Sequence, residues 1–380
     1  MVTALWTVII FLLMVSLHEF GHFIVAKLSG IEVKEYAIGM GPAIFKKQGK
    51  ETLYSVRILP IGGYCAFEGE DEDSDSERAF CNSHILKRIA VVVAGAVMNV
   101  LLGFVIFVVM CANNTPLVTN EIESLDQRTN MYEAGVMPGD RIVEINGKNM
   151  HYFRDIDFYV GELPRDKDVE ITVKRNGEKL KFSFPLSREE IEHTYEENGY
   201  LSKTTINGKT EEEFLPYPEG IDKTEYVGKT ASDERYILGF FAKTEEGAWS
   251  VIKDAYYETI FASKLIYNSV LDMVKGNVGI DQLSGPIGVV DTVNTVVKQD
   301  MGILPLLSMA ALLTINLGIF NLLPIPALDG GRLIFLLYEL IFRKKIPPEK
   351  EGLVHTIGFI LLMILAVIIA GKDIYMIITR

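Results

Sequence analysis

The chain has only three cysteines in 380 residues, Cys65, Cys81 and Cys111, with no CxxC pair and one thiol left over from any pairing. That count excludes a disulfide framework and a thiolate zinc site. Positive charge is also short. Against 50 Asp and Glu stand 37 Lys and Arg, a net charge of −13, which argues against a nucleic-acid partner held by counterion release. No Lys or Arg precedes the first apolar run, and no small-residue cleavage site follows it. His18, Glu19 and His22 stand where the apolar core of a signal peptide would end, so a retained helix is expected there.

Apolar sequence, in contrast, is abundant. Hydrophobic residues make up 49% of the chain, and the mean hydropathy is +0.22, where a soluble domain of this size usually lies below zero. The acidic excess sits in two stretches. Glu68 to Glu77 holds seven acids and no base, and Arg188 to Arg235 holds thirteen acids and six bases. The first reads as a solvated acidic loop, the second as an insertion or mobile loop. A soluble cytoplasmic enzyme is excluded.

Four stretches can cross a bilayer, which takes roughly 20 residues. They run from about Thr3 to Leu28, from Ile89 to Cys111, within Met301 to Phe342, and from about Leu353 to Ala370. The third is interrupted by NLLPIPALDGG, Asn321 to Gly331. Trp249 to Val274 is broken by Asp254, Glu258, Lys264 and Asp272 and reads as an amphipathic helix. Lys27, Lys34, Lys46, Lys47, Lys87 and Arg88 lie between the first two spans, and Arg343, Lys344 and Lys345 follow the third. Both loops are therefore expected on the cytoplasmic side, with segment 113–246 outside.

That outer segment reads as β-rich. EAGVMPGDRIVEING, Glu133 to Gly147, carries a Pro-Gly-Asp turn, an apolar strand and an Asn-Gly hairpin signal. Val169 to Gly177 repeats the pattern, and Tyr236 to Phe241 reads as a strand that rejoins the domain.

The chemistry is concentrated in two places. On a helix, His18 and His22 lie about 40° apart on one face, with Glu19 within about 100° of both. Two imidazoles so placed can bind one zinc ion, and an adjacent carboxylate can take a proton from its water. Three ionisable residues within five positions of a membrane helix are too costly to be packing accidents. A catalytic zinc needs a third protein ligand, and the candidate is Asp329. Pro324, Pro326, Gly330 and Gly331 break the third span around it, and irregular backbone at membrane depth survives only where protein or a wet cavity surrounds it. The alternative is a kinked helix whose Asp329 reaches the surface beside Arg332. The first and third spans run in the same direction, which puts both motifs toward the cytoplasmic side and favours a shared site. His84, His151, His193 and His355 lack ligand spacing and read as surface or capping residues.

HExxH in the first span and NxxPxxxLDG in the third resemble the site-2 protease family of intramembrane zinc metalloproteases, peptidase family M50. The likeness is greatest to the bacterial regulator-of-sigma-E protease type. It extends to Gly39-Met-Gly41, Pro60 to Tyr64 and Ser284 to Ile287, and the AGxxPGDxIxxING string resembles a PDZ domain. The chain departs from the family pattern in two places. Gly95-Ala-Val-Met-Asn99 stands where relatives often have Gly-Pro-x-x-Asn, and Thr129-Asn130-Met131 stands where they often have Ser-Pro-Ala.

The resemblance implies a polytopic α-helical membrane protein with four transmembrane helices, the third broken, an extracytoplasmic β-rich PDZ domain and a membrane-dipping β-hairpin. The expected order is helix one within 1–28, a cytoplasmic loop 29–88 with the hairpin, helix two at 89–112, and the PDZ domain 113–246 with its acidic insertion 188–235. After these come the amphipathic helix 247–276, segment 277–342 with the broken third helix, and helix four at 353–371. Zn2+ held by His18, His22 and Asp329, with Glu19 as base, would hydrolyse peptide bonds within transmembrane segments. Asn321 and Pro324, together with Gly62 and Gly63 of the hairpin, would bind substrate. The implied partners are the lipid bilayer and single-pass membrane proteins, either anti-sigma factors or remnant signal peptides. A monomer in the bacterial inner membrane is expected. A non-catalytic scaffold would have no need of Glu19, and a transporter would favour an internal symmetry that the two halves lack.

Overall fold

The computed structural model describes residues 2–70, 72–113, 116–217, 227–277, 285–298 and 302–379. The chain divides into two compact units, Met1–Asn114 with Asp254–Arg380, and Thr115–Lys253. In the first, α1 (Val2–Ser29) leads into a long hairpin, β1 (Val33–Gln48) and β2 (Leu53–Phe67), and then into α2 (Ile85–Ala112). His84 caps α2 by accepting from the Leu86 N–H at 3.3 Å. Of α2, the stripe that includes Gly95, Asn99 and Gly103 is buried, a four-residue spacing that keeps these small or polar side chains on one face.

The hairpin folds back on itself. Residues 35–38 of β1 lie between two parts of β2, pairing with 53–56 on one side and with 63–66 on the other, while 45–48 pair with 53–56 from beyond. Residues 63–67 therefore form an edge, with no further strand on it among the described residues. Gly62 at φ +84° makes the turn into that edge, a conformation open to glycine at little cost. Met40, Ile44, Phe45, Ile58 and Leu59 are exposed toward the far end of the hairpin.

The second unit begins with β3 (Leu117–Leu125), α3 (Asn130–Glu133), β4 (Arg141–Ile145), β5 (Lys148–Asn149) and α4 (Phe153–Gly161). Seven strands follow: β6 (Asp168–Arg175), β7 (Glu178–Pro185), β8 (Ser187–Tyr195), β9 (Tyr200–Ile206), β10 (Lys209–Leu215), β11 (Thr230–Ile237) and β12 (Phe240–Glu245). One sheet has the order β12-β3-β4-β6-β7, with β5 on β4. Ile122, Ile142, Ile145, Ile171, Met131 and Ile156 form its core. Asn146-Gly147 and Asn176-Gly177 turn with both residues at positive φ, as two-residue hairpins require.

The acidic stretch 188–235 is not a loose loop. Its described residues form a second antiparallel sheet of order β10-β9-β8-β11. Both faces of these strands are largely wet, so the apolar alternation that marks a half-buried strand is weak, and composition misleads. One local signal was present: Asn207-Gly208, both at positive φ, closes β9 onto β10. Tyr236 to Phe241 is likewise not one strand. Gly239, at φ +84°, separates the end of β11 from β12, and the two halves belong to different sheets.

The chain returns to the first unit through α5 (Ala248–Val274), followed by α6 (Pro286–Lys298), α7 (Ile303–Asn321), α8 (Asp329–Phe342) and α9 (Pro348–Thr379). α5 is two-faced, as its charges suggested: Ala255, Ala262, Ile266 and Val270 are buried, while Trp249, Tyr256 and Tyr267 are exposed. Of Ser284 to Ile287, Ser284 lies outside the described residues. The Gly285 and Gly288 N–H groups donate to Asp373 Oδ2 of α9 at 3.0 and 2.9 Å. Among the described residues, four segments are long and apolar enough to cross a membrane: Val8–Ser29, Ile85–Ala112, Ile303–Asn321 and Lys350–Met376.

Candidate metal centre

α1 presents His18 and His22 one turn apart, both buried, with Nε2 atoms 3.1 Å from each other. Asp329 Oδ2 lies 3.1 Å from His18 Nε2 and 3.3 Å from His22 Nε2. Bonds of about 2.0 Å in a tetrahedral zinc site put neighbouring donor atoms about 3.3 Å apart, so the three atoms are spaced as the ion requires. The donor chemistry agrees. His22 Nδ1 sits 2.8 Å from the Val91 carbonyl, which can only accept, so a neutral His22 carries its hydrogen on Nδ1 and turns a lone pair inward. A lone pair facing a carboxylate at this range is stable when a cation lies between them. The residues present fit zinc.

Asp329 reaches this position because α7 stops at Asn321 and α8 starts at Asp329. Pro324 and Pro326 cannot continue a helix, and the intervening backbone closes in tight turns, Leu323 N–H to Phe320 O and Leu328 N–H to Ile325 O. Ala327 is held at φ +76°, a region costly for a residue with a Cβ. The turn is secured from α9, where His355 Nδ1 accepts from the Ala327 N–H at 3.0 Å. Asp329 then opens α8, where the helix N-terminus favours a carboxylate.

Glu19 is partly buried and lies within electrostatic range of His22, His18 and Asp329. Gly63 is beside it: a Cβ at 63 would lie 3.3 Å from Glu19 Cγ. The hairpin edge therefore passes directly by the candidate base. Asn321 also joins the cluster, its Nδ2 being 3.3 Å from His18 Nε2. Gly62 packs against Met40 rather than against the donor set, and Pro324 is an exposed residue of the break.

Three contributors were not legible as site residues. Gly95 of α2 faces both imidazoles so closely that a Cβ there would lie 2.3 Å from His22 Nε2 and 2.7 Å from His18 Cε1. Asn99, one turn on and fully buried, places its amide 3.3 Å from His18 Nδ1. His355 caps the break, one of the two roles expected for it, though not at this site. The stretch from Glu68 to Glu77 is also more than a solvated loop. Glu70 pairs with Arg332, three residues past Asp329, and accepts from the Phe67 N–H at 3.1 Å. Glu68 pairs with Lys34 at 2.6 Å.

Comparison with known proteins agrees with this geometry. A profile described as Peptidase family M50 matches residues 6–365. A Clostridium acetobutylicum protein named as a zinc metalloprotease is 32% identical, the match covering 97% of this chain and 96% of the relative. The regulator of sigma-W protease RasP of Bacillus subtilis is 30% identical, with 98% of each chain covered. A Fusobacterium nucleatum protein also named as a zinc metalloprotease is 31% identical, again with 98% of each covered.

Proposed function

The chain belongs to peptidase family M50 and is a zinc metalloprotease, and from that premise we propose that it cuts peptide bonds inside the transmembrane segments of other membrane proteins. One observation carries the reading. The three donor atoms and Glu19 lie on helices of the membrane-spanning unit, where an ionisable cluster is costly unless it does chemistry.

In this reading His18, His22 and Asp329 hold the ion, which when bound supplies Lewis acidity to a water and to the scissile carbonyl. Glu19 takes the proton from the attacking water and returns it to the leaving nitrogen. The Asn321 amide, already beside His18 Nε2, donates toward the oxygen on which negative charge develops. A peptide in a helix hides its carbonyls, so the substrate must unwind. The edge at 63–67, next to Glu19, offers an unwound segment backbone hydrogen bonds. Gly62 shapes the turn into that edge, and Pro324 keeps the break open beside the site. The exposed apolar end of the hairpin, Met40 to Leu59, suits a segment dipping into lipid.

We read segment 113–246 as an extracytoplasmic PDZ-type domain, the active site as facing the cytoplasmic side, and the protein as a monomer. The substrate class is a single-pass membrane protein, with anti-sigma factors and remnant signal peptides as the two cases to compare. The test is cleavage of a single-pass model substrate in reconstituted membranes by the wild-type chain and by Glu19→Gln. Site-specific cuts within the span made only by the wild type are expected. Cuts confined to the substrate's soluble parts would sink the intramembrane reading. Orientation is read separately. An impermeant thiol reagent should reach Cys81 only after the inner face is opened, and labelling in intact cells would invert the topology.

A further inference from the structure

We propose that the side-chain carbonyl of Asn99 accepts a hydrogen bond from His18 Nδ1 and so holds His18 in the tautomer that can bind zinc through Nε2. The proposal rests on the zinc site described above and assigns Asn99 as a positioning residue within it.

The two histidines are oriented by different means. For His22 the partner is the Val91 backbone carbonyl, 2.8 Å from Nδ1, and no side-chain substitution can remove it. His18 also turns Nε2 toward the donor cluster, so it too needs its hydrogen on Nδ1. The group 3.3 Å from that atom is the Asn99 amide. With Nδ2 toward the ring, Nδ1 would have to accept, the hydrogen would move to Nε2, and Asn99 Oδ1 would remain buried without a partner, as it stands here. The two ends of an amide are nearly equal in shape, and rotating it by 180° puts Oδ1 on the Nδ1 hydrogen. Oδ1 meets no donor where it stands, so the contact with His18 is the one it can gain by turning.

The surroundings keep Asn99 in place. Its backbone carbonyl accepts from Thr314 Oγ1 of α7 at 3.3 Å. Gly318 of the same helix is close behind it, since a Cβ there would lie 3.3 Å from Asn99 Cβ. Gly95, without a side chain, leaves room for both rings one turn earlier. α2, which contributes no ligand, thus sets the chemistry of one.

The test is zinc affinity of the purified full-length protein, measured by competition with a chelator and independent of proteolysis. Asn99→Leu keeps the volume and removes the acceptor, and Asn99→Ala removes both. Each is expected to weaken zinc binding about 10- to 100-fold. Asn99→Asp restores an acceptor and should bind at least as tightly as wild type. Thr314→Val, which breaks a hydrogen bond at the same helix contact without touching His18, should leave affinity unchanged. Wild-type affinity in Asn99→Leu, no recovery in Asn99→Asp, or an equal loss in Thr314→Val would each overturn the proposal and leave the zinc site standing. A wild-type chain that binds no zinc would instead remove the metal reading, and this proposal with it.

Discussion

Gly95 and His22 approach each other so closely that the smallest added side chain would overlap the ring: a Cβ at 95 would lie 2.3 Å from His22 Nε2. Helix two is therefore part of the metal centre through an absence. Gly95→Ala is expected to displace the imidazoles and leave the purified protein with well under one zinc per chain. Full zinc content in that variant would mean that the helices part without cost.

In the proposed mechanism Glu19 is the base and not a ligand. Glu19→Gln should keep zinc at the wild-type level while cleavage falls by about 10²- to 10⁴-fold. Metal content measured on the same preparation separates the two roles, since loss of both together would make Glu19 a ligand or a folding residue.

Asp329 is the third ligand of the proposed site, its carboxylate lying with His18 and His22 in a group that could hold a metal ion. Asp329→Ala should lose zinc and activity together. Chelation of the wild-type protein should abolish cleavage, and added zinc should restore it. A chelated protein that still cuts would count decisively against metal chemistry.

The turn before Asp329 carries strain that a substitution can relieve. Ala327 holds φ +76°, so Ala327→Gly should raise the thermal midpoint, by an amount corresponding to about 1 kcal/mol. His355→Leu should lower it, because the Ala327 N–H loses its acceptor, a penalty of about 1–3 kcal/mol. Thermal unfolding in one detergent reads both, and shifts of the same sign would show that the turn is not held as described.

In the second unit, Asp126 gives a pH prediction of definite sign. A hydrogen bond from Arg128 outweighs burial and holds its carboxyl below the usual carboxylate range. A depressed folded value means that the stabilisation is present above the unfolded value and is lost as pH falls below about 4. Arg128 also donates to the Thr204 carbonyl of β9 at 3.2 Å, so this pair joins the acidic sheet to the rest of the unit. Hydrogen exchange corrected for intrinsic rates should show β8 to β10 losing protection in that range before β6 and β7 do. Asp126→Asn should remove the pH step, and an unchanged step would assign it to other carboxylates.

The site was legible where its chemistry is local. His18, Glu19 and His22 lie within one helical turn, and the Pro-Pro-Asp-Gly-Gly break around Asp329 announces irregular backbone. Gly95 and Asn99 were not legible as site residues, because each acts across a helix contact and neither carries a spacing that points to metal. Capping was one of two roles expected of His355, but what it caps was not legible. The acidic sheet was missed for a different reason. Strands with little buried surface do not write an apolar pattern, although the Asn207-Gly208 turn was there to be read. The strand that runs into Asn176-Gly177 was legible because one of its faces is core.

The proposed ligand set is split between Asp329 and a pair that precedes it by more than three hundred residues, with helix two packed against the helices that carry both parts. Binding the ion is therefore linked to docking the third membrane span: whatever tightens one tightens the other. A chain still being made cannot assemble three donors until residue 329 has been made and its helix has found the first. On the proposed reading the protease is therefore without its full ligand set through most of its own insertion, and gains it only when the last third of the chain folds onto the first helix.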